Sequence, residues 1–218
     1  RYFRSTAIKT NSCKVLVFTA YYLPGYKGGG PIKTIKNLID SSYNDISFNI
    51  ITNDRDLGDS SPYDTVSYNS WNEVGNAEVF YAQSGMIRYK QIAKIVFERK
   101  YNIIYLNSFF SPAFSWFPLL IAKSLRQKII LGPRGEFSEG ALNLKSQKKN
   151  AFIKLYKSLG LHHGVVYQAS SEYEVNDIKR VLGENVDVRV AEDIGGQEFA
   201  GKILVSDVDR IKAVFVSR

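Results

Sequence analysis

Three consecutive stretches decide how this chain is read: Lys14-Val-Leu-Val-Phe-Thr19, the loop Leu23-Pro-Gly-Tyr-Lys-Gly-Gly-Gly30, and the run from Pro31 through Ile32, Ile35, Leu38 and Ile39. The first is a continuous apolar run, as expected of a strand buried on both faces of a parallel sheet. The second is a glycine- and proline-rich turn. In the third, Pro31 stands where a first helical residue needs no N–H, and the apolar residues recur at helical spacing over about three turns. The whole is a strand–glycine loop–helix unit.

Outward from it the alternation repeats. Strands are predicted at Ser47 to Thr52, Ala77 to Tyr81, Asn102 to Leu106, Lys128 to Leu131, Val165 to Ala169 and Val186 to Val190. Helices are predicted at Met86 to Lys100, Ala113 to Leu125, Ser146 to Leu159 and Glu172 to Leu182. Strands alternating with helices specify an α/β fold, here a Rossmann-like, doubly wound parallel sheet with helices on both faces. Asn53 to Gly75 breaks the rhythm as a long polar insertion, a length typical of binding loops. Residues 1–13 read as a tail, 14–200 as the Rossmann-like domain, and Ala191 to Gly201 as a linker. Ile203 to Ile211 reads as a weak helix, and Lys212 to Arg218 as a strand that opens a second domain.

Composition narrows the function classes. The 218 residues hold one cysteine, so an intrachain disulfide and a cysteine-rich zinc site are excluded. That fits a reducing, cytoplasmic setting. The most apolar stretch, Phe109 to Ala122, is shorter than the roughly 20 residues that span a bilayer, and prolines interrupt it. The net charge of +8 suits a polyanionic neighbour or simple solubility. No nucleic-acid-binding signature accompanies it, so no nucleic-acid partner is expected. Lys145, Lys148, Lys149, Lys154 and Lys157 crowd one segment, which holds the predicted helix Ser146 to Leu159. That helix can rest on an anionic membrane at its inner face, or simply cover the sheet with a solvated lysine side.

Candidate site residues sit where strands end. Gly28, Gly29 and Gly30 can let a diphosphate approach the backbone, or can merely serve a tight turn. Their spacing matches neither the dinucleotide fingerprint nor the P-loop, and no cofactor is expected. Gly132-Pro133-Arg134-Gly135 follows a strand, so the Arg134 guanidinium would stand at the same sheet edge, suited to phosphate or sugar hydroxyls. Asp54, Arg55 and Asp56 end the second strand; Asp-x-Asp can hold a cation, although acidic loop residues are usually solvated. Trp71 can stack on a sugar or anchor its loop. Ser171 to Glu174 reads as a capping box. His162 and His163, as neighbours, are expected to point apart, and no metal site is expected from them.

Taken in order, Phe18 to Gly25 with Gly28 to Pro31, then Asp54 to Asp59, Trp71, Tyr105 to Ser108, Pro133 to Gly135 and Ala169 to Glu172 resemble family-4 retaining glycosyltransferases of the GT-B fold. These enzymes are common in bacterial surface-polysaccharide assembly. The resemblance covers nearly all of residues 14–218. It implies an acceptor-side N-terminal half whose glycine loop faces the diphosphate of a nucleotide-sugar donor. Asn107 and Arg134 become catalytic candidates, and Asp54, Arg55, Asp56 and Trp71 candidates for a saccharide or lipid-linked acceptor. Retention would proceed without a metal. Relatives often carry histidine where this chain has Asn107 or Arg134. The family's Lys-Asn segment and paired glutamates have no counterpart in the 218 residues, so the chain alone is expected to lack catalysis.

Overall fold

A computed structural model describes residues 13–42, 45–98, 100–144 and 146–195. The predicted tail before Cys13, most of the 191–201 linker, the weak helix and the last strand lie outside the described residues. Eight strands form one sheet in the order β3-β4-β2-β1-β5-β6-β7-β8. They are β1 Cys13–Phe18, β2 Ile46–Asn53, β3 Trp71–Val74, β4 Ala77–Ala82, β5 Ile103–Leu106, β6 Lys128–Leu131, β7 Val165–Ala169 and β8 Asp187–Val190. Every pairing is parallel except β3 with β4. The fold is α/β and Rossmann-like.

The apolar run read first is β1, whose Val15, Leu16, Val17 and Phe18 are all buried. Leu16 and Phe18 face one helical layer, and Val15 and Val17 the other. Helices α2 Met86–Phe97, α3 Phe117–Ser124, α5 Ser146–Ser158 and α6 Glu172–Leu182 pack on the first face. Among the described residues α1, Gly30–Ser42, is the one helix on the second, through Ile32, Ile35 and Ile39. A short α4, Glu139–Asn143, precedes α5 and has no buried residue, so no apolar period announced it.

Two elements depart from expectation. The polar insertion ends in β3, an edge strand of alternating exposure that offered no apolar run to read. The single helix expected over 113–125 is a π-helical turn, Pro112–Trp116, followed by α3. The Trp116 N–H reaches back to Ser111 O and that of Phe117 to Pro112 O, a five-residue step. Pro118 has no N–H to give Phe114 O, and its ring crowds that carbonyl, so the α ladder cannot form there.

Candidate functional site

The chain leaves β1 towards β2 and β4 on one side, then returns to β5 on the other, so the strand order reverses between β1 and β5. In open α/β sheets the crevice outside the carboxyl ends of the strands at such a point is where ligands bind. Asn107, the residue after β5, lies in it. Its N–H donates to Phe18 O at 2.9 Å, and its Nδ2 lies 3.4 Å from Thr19 Oγ1. Both side chains are buried, Asn107 at 4% and Thr19 at 3% exposure.

Arg134 reaches the same place from beyond β6. Its Nε donates to Asn107 Oδ1 at 2.7 Å, its Nη2 to the Tyr105 hydroxyl, and its Nη1 to Asp193 Oδ1 at 2.6 Å. Tyr105 in turn donates to Gln168 Oε1 at 2.6 Å. Burial pushes the Tyr105 phenol upward against the opposing pull of Arg134, so it stays protonated and remains a donor. One polar chain, Thr19–Asn107–Arg134–Tyr105–Gln168, therefore crosses the ends of β1, β5, β6 and β7. Tyr105, Gln168 and Asp193 are not among the site residues expected from sequence. Gln168 carried a signal, being a polar residue inside the run Val165 to Ala169.

The turn that carries Arg134 is tightly determined. Arg134 has φ 56° and Gly135 φ 73°. A left-handed non-glycine residue costs roughly 1–3 kcal/mol and persists only where its surroundings hold it. Glu174 does the holding: it accepts from Gly135 N at 2.7 Å and from Ser170 N at 2.7 Å. The capping box is thus present at Ser171, whose hydroxyl accepts from Glu174 N at 3.3 Å. Glu174 reaches back one residue further than expected, and also across to the Arg134 turn. A side chain at Gly132 would crowd the cluster, since a Cβ there would lie 3.3 Å from both Arg134 Nε and the Tyr105 hydroxyl.

The glycine loop is tied down by Asp56. Its Oδ2 accepts from Tyr26 N at 2.8 Å and Lys27 N at 3.0 Å, and its Oδ1 from Leu57 N at 2.8 Å. Burial alone would raise the Asp56 pKa; the Lys27, Tyr26 and Leu57 N–H groups and the Lys27 charge outweigh it and hold the carboxyl below its ordinary range. Lys27 is paired with Asp59. Asp54 accepts both Nε and Nη2 of Arg55 at 2.9 and 3.1 Å. The solvated acidic loop expected from sequence is therefore not what forms: Asp54 is 1% and Asp56 4% exposed. A buried carboxylate needs partners, and the adjacent guanidinium and the loop amides supply them.

The three glycines are not equivalent. A Cβ on Gly28 would lie 2.8 Å from Tyr21 Cβ and 2.9 Å from Ile32 Cδ1. Gly29 has φ 72°. A Cβ on Gly30, the first residue of α1, would meet nothing within 4 Å. Packing explains Gly28 and backbone conformation Gly29, but neither explains Gly30. Beside the loop lies a cavity of about 600 Å³ whose lining includes Leu23, Tyr26, Gly29, Ile32, Lys33 and Asn37.

Trp71 is not gathered into this cluster. It lies on β3, five strands from β6, about 24 Å at the usual strand spacing. Its ring packs edge-on against Phe80 at 5.3 Å and remains 36% exposed. The lysine cluster also divides: Lys149 donates to Ala141 O at 2.5 Å and Lys157 to Val181 O at 3.0 Å. Lys148 and Lys154 are exposed, and Lys145 lies outside the described residues. His162 and His163 do not point apart; their rings lie 3.9 Å from each other in a turn between the left-handed Gly160 and Gly164. Among the described residues no three His, Cys, Asp or Glu side chains gather as metal ligands, and no helix is long and apolar enough to cross a membrane.

No protein-family model matches this chain, and no curated protein matches it. Among solved structures it is similar to one assigned as a UDP-N-acetylglucosamine 2-epimerase from Listeria monocytogenes, with TM-score 0.35 and 8% identity over 84% of this chain and 70% of that one. Likeness at that level carries no argument; strand order and pairing define the Rossmann-like fold by themselves.

Proposed function

We propose that this chain is the acceptor-side half of a retaining GT-B glycosyltransferase, one that moves a sugar from a nucleotide-sugar donor to a saccharide or lipid-linked acceptor in surface-polysaccharide synthesis. The observation that carries the reading is the bonded pair Asn107–Arg134 at the strand-order reversal, next to β1, the strand that the glycine loop follows. A guanidinium fixed beforehand by Asn107 and Tyr105 is suited to charge that develops on a leaving diphosphate, because its orientation needs no reorganisation during reaction. Gly30 allows a phosphate to approach the start of α1. Asp56 holds the loop, and Asp54 with Arg55 shapes the neighbouring rim. Trp71 is left for a distal part of a long acceptor.

The test is transfer of label from a panel of nucleotide sugars to lipid-linked and oligosaccharide acceptors, using the full gene product. Arg134→Ala should lower kcat by about 10²–10³, and Asn107→Ala by less. Absence of transfer with every donor, together with no nucleotide-sugar binding, removes this reading. The second reading, a non-catalytic basic module binding phosphorylated ligands or anionic membrane, draws on Leu155 and Leu159, exposed beside the α5 lysines. Vesicle binding without transfer would favour it.

A further inference from the structure

After β8 the chain does not leave the domain. Ala191 N–H donates to Ala169 O at 2.9 Å, Gln168 Nε2 donates to Ala191 O at 3.0 Å, and Asn37 Nδ2 donates to Ile194 O at 2.8 Å. Residues 191–195 thereby form a strap from the end of β7 to the outer face of α1. The strap passes over the carboxyl ends of the strands, and at its middle Asp193 turns inward. Its Oδ1 lies 2.6 Å from Arg134 Nη1 and its Oδ2 accepts from Thr34 Oγ1 at 3.2 Å. One carboxylate thus bridges the guanidinium and a hydroxyl on α1, as two oxygens of a phosphoryl group would. The Arg134 side chain is 11% exposed, whereas that of Asp193 is 44% exposed.

We infer that the niche between Arg134 and Thr34 is a phosphoryl-oxyanion site, and that Asp193 fills it as an internal stand-in which the ligand displaces. The inference rests on reading this crevice as a phosphate-recognising cleft, and adds the anion's seat and the group that guards it. An ion pair with one well-exposed partner is weak. A phosphoryl group brings more charge and can engage the guanidinium fork through two oxygens. The strap therefore acts as a competitor of fixed local concentration and lowers apparent affinity by the fraction of molecules in which it is released. The phosphoryl group can belong to the diphosphate of a nucleotide sugar or to a phosphorylated acceptor.

The experiment is calorimetric titration of the whole chain with inorganic pyrophosphate and, separately, with glycerol 1-phosphate. Asp193→Asn should bind the preferred probe about tenfold more tightly than the unaltered chain, the factor expected if the strap closes the niche in nine molecules of ten. Glu192→Gln removes an equal charge one residue away and should bind like the unaltered chain. Adding Thr34→Val to Asp193→Asn should reverse part of the gain, with unchanged melting showing that the fold is intact. Preference for pyrophosphate identifies the donor diphosphate as the source, and preference for glycerol 1-phosphate the acceptor phosphate; either supports the site. Equal gains for Asp193→Asn and Glu192→Gln overturn it, as does no binding by Asp193→Asn at millimolar probe. A gain in anion affinity in a protein that transfers no sugar leaves the site standing and removes the glycosyltransferase reading. Transfer with no gain on Asp193→Asn removes the site alone.

Discussion

Gly28 and Gly30 are two residues apart and identical in chemistry, yet the structure assigns them opposite sensitivities. Gly28→Ala must push aside both Tyr21 and Ile32, so it should cost about 1–3 kcal/mol in denaturant unfolding, the usual penalty of overpacking. Gly30→Ala has open space and should change stability by less than about 0.5 kcal/mol. If a phosphate approaches α1 there, Gly30→Ala should still weaken nucleotide-sugar binding. Asp56 makes a different kind of prediction. Its carboxylate accepts three backbone N–H groups, so Asp56→Ala should cost about 3 kcal/mol, and Asp56→Asn, which keeps one acceptor oxygen, roughly half of that. The folded carboxyl is held below its ordinary pKa, so its stabilising contribution is fully present above the unfolded value of about 3.9 and disappears as pH falls through the folded one. Acid titration of stability should therefore flatten below pH 4 in Asp56→Asn relative to the unaltered chain. The glycine loop and the aspartate motif were both visible in sequence as separate candidates. That one anchors the other was not, because 30 residues separate Tyr26 from Asp56.

At the scale of elements, what was legible followed from burial. β1, β2, β4 and β7 are apolar runs because both their faces are covered, and α6 shows a capped, periodic stretch because one face is buried. β3 was invisible because an exposed four-residue edge strand needs no apolar pattern. The π-helical turn was invisible because Pro118 acts on a hydrogen-bond ladder rather than on hydrophobic spacing. Helix α5 shows how an element can have two uses. Its inner face places Phe152 against Trp116 at 3.5 Å and buries Tyr156. Outside, Leu155 is 50% and the following Leu159 58% exposed beside Lys154 and Lys157. Co-sedimentation with anionic vesicles at low salt should fall when both leucines are replaced by serine, with Tm unchanged. Equal sedimentation of the two proteins would leave α5 as a sheet cover only.

At the scale of the whole molecule, the two faces of the sheet are unequally covered among the described residues. The larger core centres on Phe109, fully buried and edge-on to Phe110, Phe137 and Tyr156 at 5.0, 4.7 and 4.8 Å. Phe109→Ala should cost about 3–5 kcal/mol, which for a domain of this size lowers Tm by roughly 6–20 °C; a shift below about 3 °C would mean that the cluster collapses around the void. Because Phe109 follows Asn107 by two residues, this core also supports the site. Sequence by itself determined the alternation of strands and helices, the buried character of the sheet and the placing of polar and glycine residues at strand ends. Those are properties of local periodicity, and each is decided within about ten neighbouring residues. Only the tertiary structure decided which ends converge. The order in which the strands pair brings Thr19, Asn107, Arg134 and Gln168 together across 149 residues of chain, buries Asp54 and Asp56, and folds Asp193 back onto Arg134. Such contacts depend on strand order and on the path of the chain between strands, and neither leaves a period in the sequence.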